Sequence, residues 1–172
     1  MRCFVGLWPD ATAVAAVAAL GRPASPGLRW TSPDSWHVTL RFLGEVADAD
    51  AAPDGPLVTA LRDALAGERC TPVALGPATA RFEPKILYVP ATGAERLAAV
   101  VGAATAGFGD APVEVAFIGH LTIARCRPAL PPGLVGAPIS ATWTASSIAV
   151  VASERRPDGA RYRSIATVPL PR

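Results

Sequence analysis

The chain predicts an α+β fold: two pseudo-symmetric lobes facing each other across a central cleft, with helices on the outside. Three observations carry that prediction. Short segments of alternating apolar and polar residues, the mark of half-buried strands, are interspersed with three Ala- and Leu-rich helical stretches. Two tetrapeptides of one pattern, His37-Val38-Thr39-Leu40 and His120-Leu121-Thr122-Ile123, lie about half of the 172 residues apart. Each half of the chain carries one such strand. No longer internal repeat is visible. A chain of this length buries enough apolar surface to need no staples, so residues 1–172 are expected to form a single bilobal domain.

The elements follow in order. Residues 2–7 read as a strand, and Pro9 and Asp10 then open a helix to Leu20 that Gly21 and Pro23 end. Residues 28–30 are extended and 32–35 form a turn. Residues 36–44 alternate strongly. Trp36, Val38, Leu40 and Phe42 fall on one face, and His37, Thr39, Arg41 and Leu43 on the other. A polar linker, 45–56, leads to a helix over 57–67. Residues 72–75 and 86–89 read as strands around the Gly76-Pro77 turn and the segment 82–85, and 94–107 as a third helix. Residues 113–117 and 120–125 are extended, interrupted at Ile118-Gly119, and the Pro-rich stretch 128–138 is a loop. Two last strands, 143–153 and 162–170, are joined by a connection containing the hairpin signal Asp158-Gly159.

Composition narrows the partners. The chain is 51% hydrophobic and 17% charged, with a formal charge of +2 and a pI of 8.6. That is too mildly basic for a duplex-binding footprint, but it tolerates a phosphate-bearing ligand. Cys3, Cys70 and Cys126 are odd in number and lack C-x-x-C spacing, so they read as reduced thiols. Cys126 shares strand parity with His120, but nothing else in the chain supports a Cys–His nucleophile. The N-terminus imitates a signal peptide, yet Pro9 and Asp10 interrupt its apolar run. The ten Ala-rich residues that follow are too few to span a bilayer. A cytoplasmic location and no membrane association are expected.

His37 and His120 are the only histidines. Alternation along a strand projects His37 with Thr39, and His120 with Thr122. Two imidazoles, each with a hydroxyl beside it, suit in-line phosphoryl chemistry: one gives a proton to a leaving oxygen while the other takes one from water. Facing imidazoles raise each other's cost of protonation, so the pair should titrate jointly and give a bell-shaped pH profile. The hydroxyls can donate to phosphate oxygens. Two histidines are too few for a closed metal site, and Glu45 and Glu114 show no ligand spacing, so no metal and no cofactor is expected. A guanidinium matches phosphate bidentately. Arg41 shares parity with His37, whereas Arg125 stands at an odd offset from His120 and needs a bulge to face it. Among the aromatic residues Phe4, Trp8, Trp36, Phe42 and Phe82, mostly core by expectation, Phe4 and Phe42 are the candidates for stacking on a base.

Longer stretches carry a resemblance. Met1-Arg2-x-Phe4-Val5-x-Leu7 and Arg29-Trp30-x-x-Pro33-x-x-x-His37-x-Thr39-Leu40-Arg41-Phe42-Leu43-Gly44-Glu45 resemble the RNA 2′,3′-cyclic phosphodiesterase (LigT or ThpR) family of the 2H phosphoesterase superfamily. So do Phe82-x-Pro84-Lys85-Ile86-Leu87-Tyr88, His120-Leu121-Thr122-Ile123-Ala124-Arg125 and Pro157-Asp158-Gly159-Ala160-Arg161-Tyr162. The resemblance implies two lobes with antiparallel sheets flanking a water-filled cleft, and the metal-free opening of a terminal RNA 2′,3′-cyclic phosphate to a 2′-phosphomonoester. It makes His37 the proton donor to the departing 3′-oxygen and His120 the proton acceptor from water. Thr39 and Thr122 would hold the phosphate, with Arg125 as a further anion contact. Ile118-Gly119 stands where relatives usually carry Arg-Pro or a similar pair, a difference that bears on RNA approach. The expected partners are RNA ends or nucleotides bearing 2′,3′-cyclic phosphate, taken by a monomer. Two rivals are the reverse reaction, joining such an end to a 5′-hydroxyl, and an RNA-binding module without turnover.

Overall fold

Strand alternation and helix capping turn directly into structure at the N-terminus. The computed structural model describes residues 1–112, 116–156 and 159–172. Strand β1 (Arg2–Leu7) is followed by helix α1 (Ala11–Ala18), whose N-cap Asp10 accepts a 2.8 Å hydrogen bond from the Ala13 amide. Next come β2 (Leu28–Trp30), a 3-10 turn (Pro33–Ser35), β3 (Val38–Glu45) and α2 (Pro56–Leu65). The second half supplies β4 (Thr71–Leu75), β5 (Ala80–Phe82), β6 (Ile86–Thr92), α3 (Glu95–Ala104) and β7 (His120–Cys126). It ends with β8 (Ala141–Ala145), β9 (Ser147–Arg156) and β10 (Gly159–Pro169).

All the strand pairs are antiparallel, and the path runs β10-β9-β1-β3-β7-β6-β4-β8, with β2 beside β7 and β5 beside β6. The motif strands β3 and β7 occupy the middle, four strands in from each end. A single ladder pair, Val38 with Leu121, joins them. The two lobes are therefore the halves of one curled sheet that splays at its centre. Leu57, Val58, Leu61 and Leu65 of α2, Leu97 and Val101 of α3, and Val17 of α1 join Val5, Leu7, Val38 and Leu121 in the main core. Burying seven such side chains, at about 1.5–3 kcal/mol each, fixes the helices to one face of the sheet. The opposite face of the β1 lobe holds a small cluster of Phe4, Ala149 and Val151, with Trp8 and Tyr162 packed on it.

Three expectations change. The apolar run 143–153 is two strands. β8 pairs with β4 at one end of the sheet, β9 pairs with β1 and β10 toward the other, and Ser146 makes the switch, its carbonyl accepting from the Leu170 amide. β5 is a short additional strand between the two expected over 72–75 and 86–89. Of the strand expected over 113–117, residues 113–115 lie outside the described residues, as does Glu114, and Phe117 is not in a strand. Asp158 of the expected hairpin turn also lies outside them. Among the described residues no helix is long and apolar enough to cross a membrane.

Candidate active site

The two motif strands carry the same irregularity at the same place. Along β3 the ladder to β1 passes from Thr39 opposite Gly6 to Arg41 opposite Val5, skipping Leu40. Along β7 the ladder to β6 passes from Thr122 opposite Tyr88 to Ala124 opposite Leu87, skipping Ile123. A bulge adds one residue and reverses the side-chain alternation beyond it. Before the bulge Val38 and Leu121 face the core, so His37, Thr39, His120 and Thr122 lie on the open face. Extending the Val38–Leu121 register by one residue each way sets His37 opposite Thr122 and Thr39 opposite His120. Each imidazole thus has its own motif's hydroxyl along the strand and the other motif's hydroxyl across it.

Beyond the bulges the faces exchange, which corrects the expectation for Arg41. Its side chain is 8% exposed and turned to the helix side, where Nη1 donates to the Gly102 carbonyl (2.7 Å) and to Thr105 Oγ1 (3.0 Å) at the end of α3. Arg41 holds a helix rather than an anion. The bulge in β7 does the opposite for Arg125. It brings this exposed residue to the open face, and the guanidinium charge acts on both His37 and Tyr162.

Both histidines are clamped alike. His37 Nδ1 donates to the Ser35 carbonyl, and His120 Nδ1 donates to the Ile118 carbonyl, each at 2.7 Å. A carbonyl can only accept, so Nδ1 carries the proton and Nε2 is left as the reactive nitrogen. The segment before His37 is tied to β7. Trp36 is fully buried, its indole N–H donates to Thr31 Oγ1 (2.9 Å), and that hydroxyl donates to the Thr122 carbonyl (3.0 Å). One hydrogen-bonded chain therefore links the two motifs.

Aromatic rings enclose each imidazole, though not as expected from the sequence. Phe4 stacks on His37 with centroids 4.5 Å apart and is only 3% exposed, so it is a floor for the imidazole and has no face free for a base. Phe42 is exposed, but the Arg2 guanidinium lies 4.4 Å over its ring. Phe4 is therefore not the open stacking platform that was expected. Trp8 and Tyr162 meet His37 edge-on, at 5.6 and 4.9 Å. Phe82 and Tyr88, stacked on each other, meet His120 edge-on at 4.8 and 5.6 Å. Reading single strands missed Tyr88 and Tyr162, because their roles come from neighbouring strands, while Trp8 and Phe82 come from the aromatic set expected mostly in the core. The signal for Tyr162 and Tyr88 lay in the resemblance, which includes both.

This packing sets the electrostatics. Burial holds the His37 pKa down to about 4, against the usual 6.5. The Ser35 hydrogen bond opposes that shift, and the charges of His120 and Arg125 add to it. Burial also pushes the Tyr162 phenol up, so it stays protonated. Among the described residues no three His, Cys, Asp or Glu side chains cluster as metal ligands would.

Comparison with known proteins places this geometry. Residues 7–75, which contain the first motif, match the family model described as LigT like Phosphoesterase. The crystal structure of TT0787 of Thermus thermophilus superposes with a TM-score of 0.84 at 25% identity, covering 99% of this chain and 98% of that one. The chain thus resembles the LigT-like phosphoesterases over its first motif and shares the fold of these structures along its whole length. Escherichia coli LigT has the same fold. Its complex with 3′-AMP matches at a TM-score of 0.70 and 21% identity, and its complex with NADP+ at 0.75 and 18%, each over 99% of this chain and 98% of that one. No curated protein matches the chain by sequence. The open face of β3 and β7 is where this structure brings the two imidazoles and the two threonine hydroxyls together.

Proposed function

We propose that this protein hydrolyses RNA 2′,3′-cyclic phosphodiester ends to 2′-phosphomonoesters, without a metal, using His37 as acid and His120 as base. The observation that carries the reading is the matched clamp: each His has Nδ1 tied to the carbonyl two residues before it and a Thr two residues after it. Water attacks phosphorus opposite the leaving 3′-oxygen. His120 Nε2 takes the proton from water, and His37 Nε2–H gives one to the 3′-oxygen. Thr39, Thr122 and Arg125 donate to the non-bridging oxygens. Strain in the five-membered ring means that no stronger electrophile is needed.

The acid role asks something of His37, because burial disfavours its imidazolium. An anionic phosphate beside it favours the charged form, so the substrate itself charges its acid. E. coli LigT was crystallised with 3′-AMP, phosphate and ATP, which supports a phosphate-bearing nucleotide as the ligand class here. We take the protein as a single-domain, cytoplasmic monomer acting on RNA ends or nucleotides bearing the cyclic phosphate. The test is hydrolysis of 2′,3′-cyclic AMP by EDTA-treated protein, with products read by phosphorus NMR. Metal-free formation of 2′-AMP is expected. Loss of turnover that Zn²⁺ or Mn²⁺ restores would overturn the mechanism, and a 3′-phosphate would exchange the roles of the two histidines.

A further inference from the structure

The bulge that turns Arg125 to the open face needs partners of its own, since a bulge leaves its extra residue outside the ladder. β6 runs along one edge of β7. Along the other edge Val38 of β3 pairs with Leu121 and Trp30 of β2 pairs with Ala124, so Thr122 and Ile123 fall between two partner strands. One residue serves both of them. Thr31, directly after β2, donates its amide to the Ile123 carbonyl (2.9 Å) and its hydroxyl to the Thr122 carbonyl (3.0 Å). The register of β2, from Leu28 opposite Cys126 to Trp30 opposite Ala124, delivers Thr31 to this place.

The same hydroxyl makes a second bond. It accepts from the indole N–H of Trp36 (2.9 Å), the residue before His37. A hydroxyl has one proton to give, and here it goes to Thr122, so Trp36 uses a lone pair. Trp36 is fully buried, and the Arg22 guanidinium lies 4.8 Å over its ring. Its N–H therefore has no water to turn to, and Thr31 is the acceptor it has. Removing the hydroxyl deprives two groups at once: the carbonyl at the start of the bulge and the indole that carries His37. Two proposed anion contacts hang on that bulge. Thr122 begins it, and Arg125 stands two residues beyond Ile123.

We propose that Thr31 is a positioning residue for this site: its hydroxyl holds the β7 bulge in the form that aims Thr122 and Arg125 at the phosphate, and ties that form to the placement of His37. The inference rests on the cyclic phosphodiesterase reading above. Thr31 acts through these neighbours, so its loss should be felt in what Arg125 contributes, and not in stability alone.

The test uses Thr31→Val, which keeps the shape and removes the hydroxyl, and Thr31→Ser, which keeps the hydroxyl. With a 2′,3′-cyclic nucleotide in EDTA, Thr31→Val should lower kcat/KM by about 10²-fold, the scale of a small misplacement at a reacting centre. Thr31→Ser should stay within about threefold of wild type. A double-mutant cycle separates positioning from stability: Arg125→Ala, worth about 10²-fold in wild type, should be worth about tenfold or less in the Thr31→Val background. Fully additive losses, a Thr31→Val rate near wild type, or Thr31→Ser as slow as Thr31→Val overturns the proposal. A second readout does not depend on turnover: binding of inorganic phosphate, followed by NMR on the imidazole resonances of the two histidines. Thr31→Val should bind about tenfold more weakly than wild type and Thr31→Ser, and equal affinity in all three overturns the proposal. If Thr31→Val shows no cooperative unfolding transition, Trp36→Phe decides, because it keeps a ring under Arg22 and removes the indole donor. A kcat about tenfold below wild type supports the tie to His37, and wild-type kcat overturns it. If wild type binds phosphate but hydrolyses no cyclic nucleotide, the function proposed above fails, and the phosphate titrations still decide the role of Thr31. If wild type binds no phosphate, both fall.

Discussion

Arg41 and Arg125 stand one and two residues past matching bulges, and their environments are opposite. Arg41 is buried against α3 with Nε and Nη2 unpartnered, while Arg125 is exposed on the histidine face. Arg125→Ala should therefore lower kcat/KM for a cyclic nucleotide by about 10²-fold, the scale of losing one preorganised donor, and leave the melting temperature unchanged. Arg41→Ala should do the reverse. It opens space under α3 and deprives two acceptors, lowering stability by about 2 kcal/mol with kcat/KM intact. Denaturant titrations and steady-state kinetics on both variants check this, and loss of turnover in Arg41→Ala with stability retained would contradict it. The His and Thr positions were legible in the sequence because a period of two fixes them locally. The arginines were not. Which of them faces the cleft is set by how β1 and β6 pair with the motif strands, and a bulge leaves no local mark.

At the scale of the element, each histidine depends on the two or three residues before its strand. On one side Trp36 and Thr31 lock the approach to His37 against β7. On the other Gly119 does so by being small. Its carbonyl accepts from the Ala91 amide at 2.9 Å, and a Cβ on Gly119 would stand 2.1 Å from the Ala91 carbonyl oxygen. That oxygen belongs to the backbone of β6 and cannot turn aside. Gly119→Ala should displace the strand start, and with it the Ile118 carbonyl that orients His120. The expected result is a fall in kcat of about 10²-fold with a cooperative unfolding transition retained. Wild-type kcat would show that the close approach does not position His120. The β6 backbone thus leaves room for no side chain at position 119. Elements with strong periodicity or caps, such as α1 after Asp10, were readable. The division of 143–153 into β8 and β9 was not, since an apolar run does not reveal that its halves join opposite ends of a sheet.

The whole molecule couples its site to its stability through His37. The imidazole titrates near 6.5 when unfolded and near 4 when folded. Between those values the unfolded chain binds more protons, so stability rises with pH through the window. The contribution is complete above pH 6.5 and is lost as pH falls through 4. Its size is on the order of 3 kcal/mol. Denaturant titrations of wild type and His37→Gln should show wild type losing that much more stability than the variant between pH 7 and pH 4. Parallel losses would mean that the folded imidazole is not held neutral. The overall architecture was foreseen from the paired motifs, but as separate sheets. That one ladder pair joins the halves depends on the contact between Val38 and Leu121, distant in the chain, which no local pattern specifies.

The central claim is that His37 and His120 act together as acid and base on a cyclic phosphate. Its most direct test is hydrolysis of a 2′,3′-cyclic nucleotide in EDTA by His37→Ala, His120→Ala and the double variant, each first shown to be folded. Each single variant should lose about 10²–10⁴ in kcat, and the double variant should be little worse than either, because two groups serving one step are not additive. Turnover near the wild-type rate in either single variant would contradict the account.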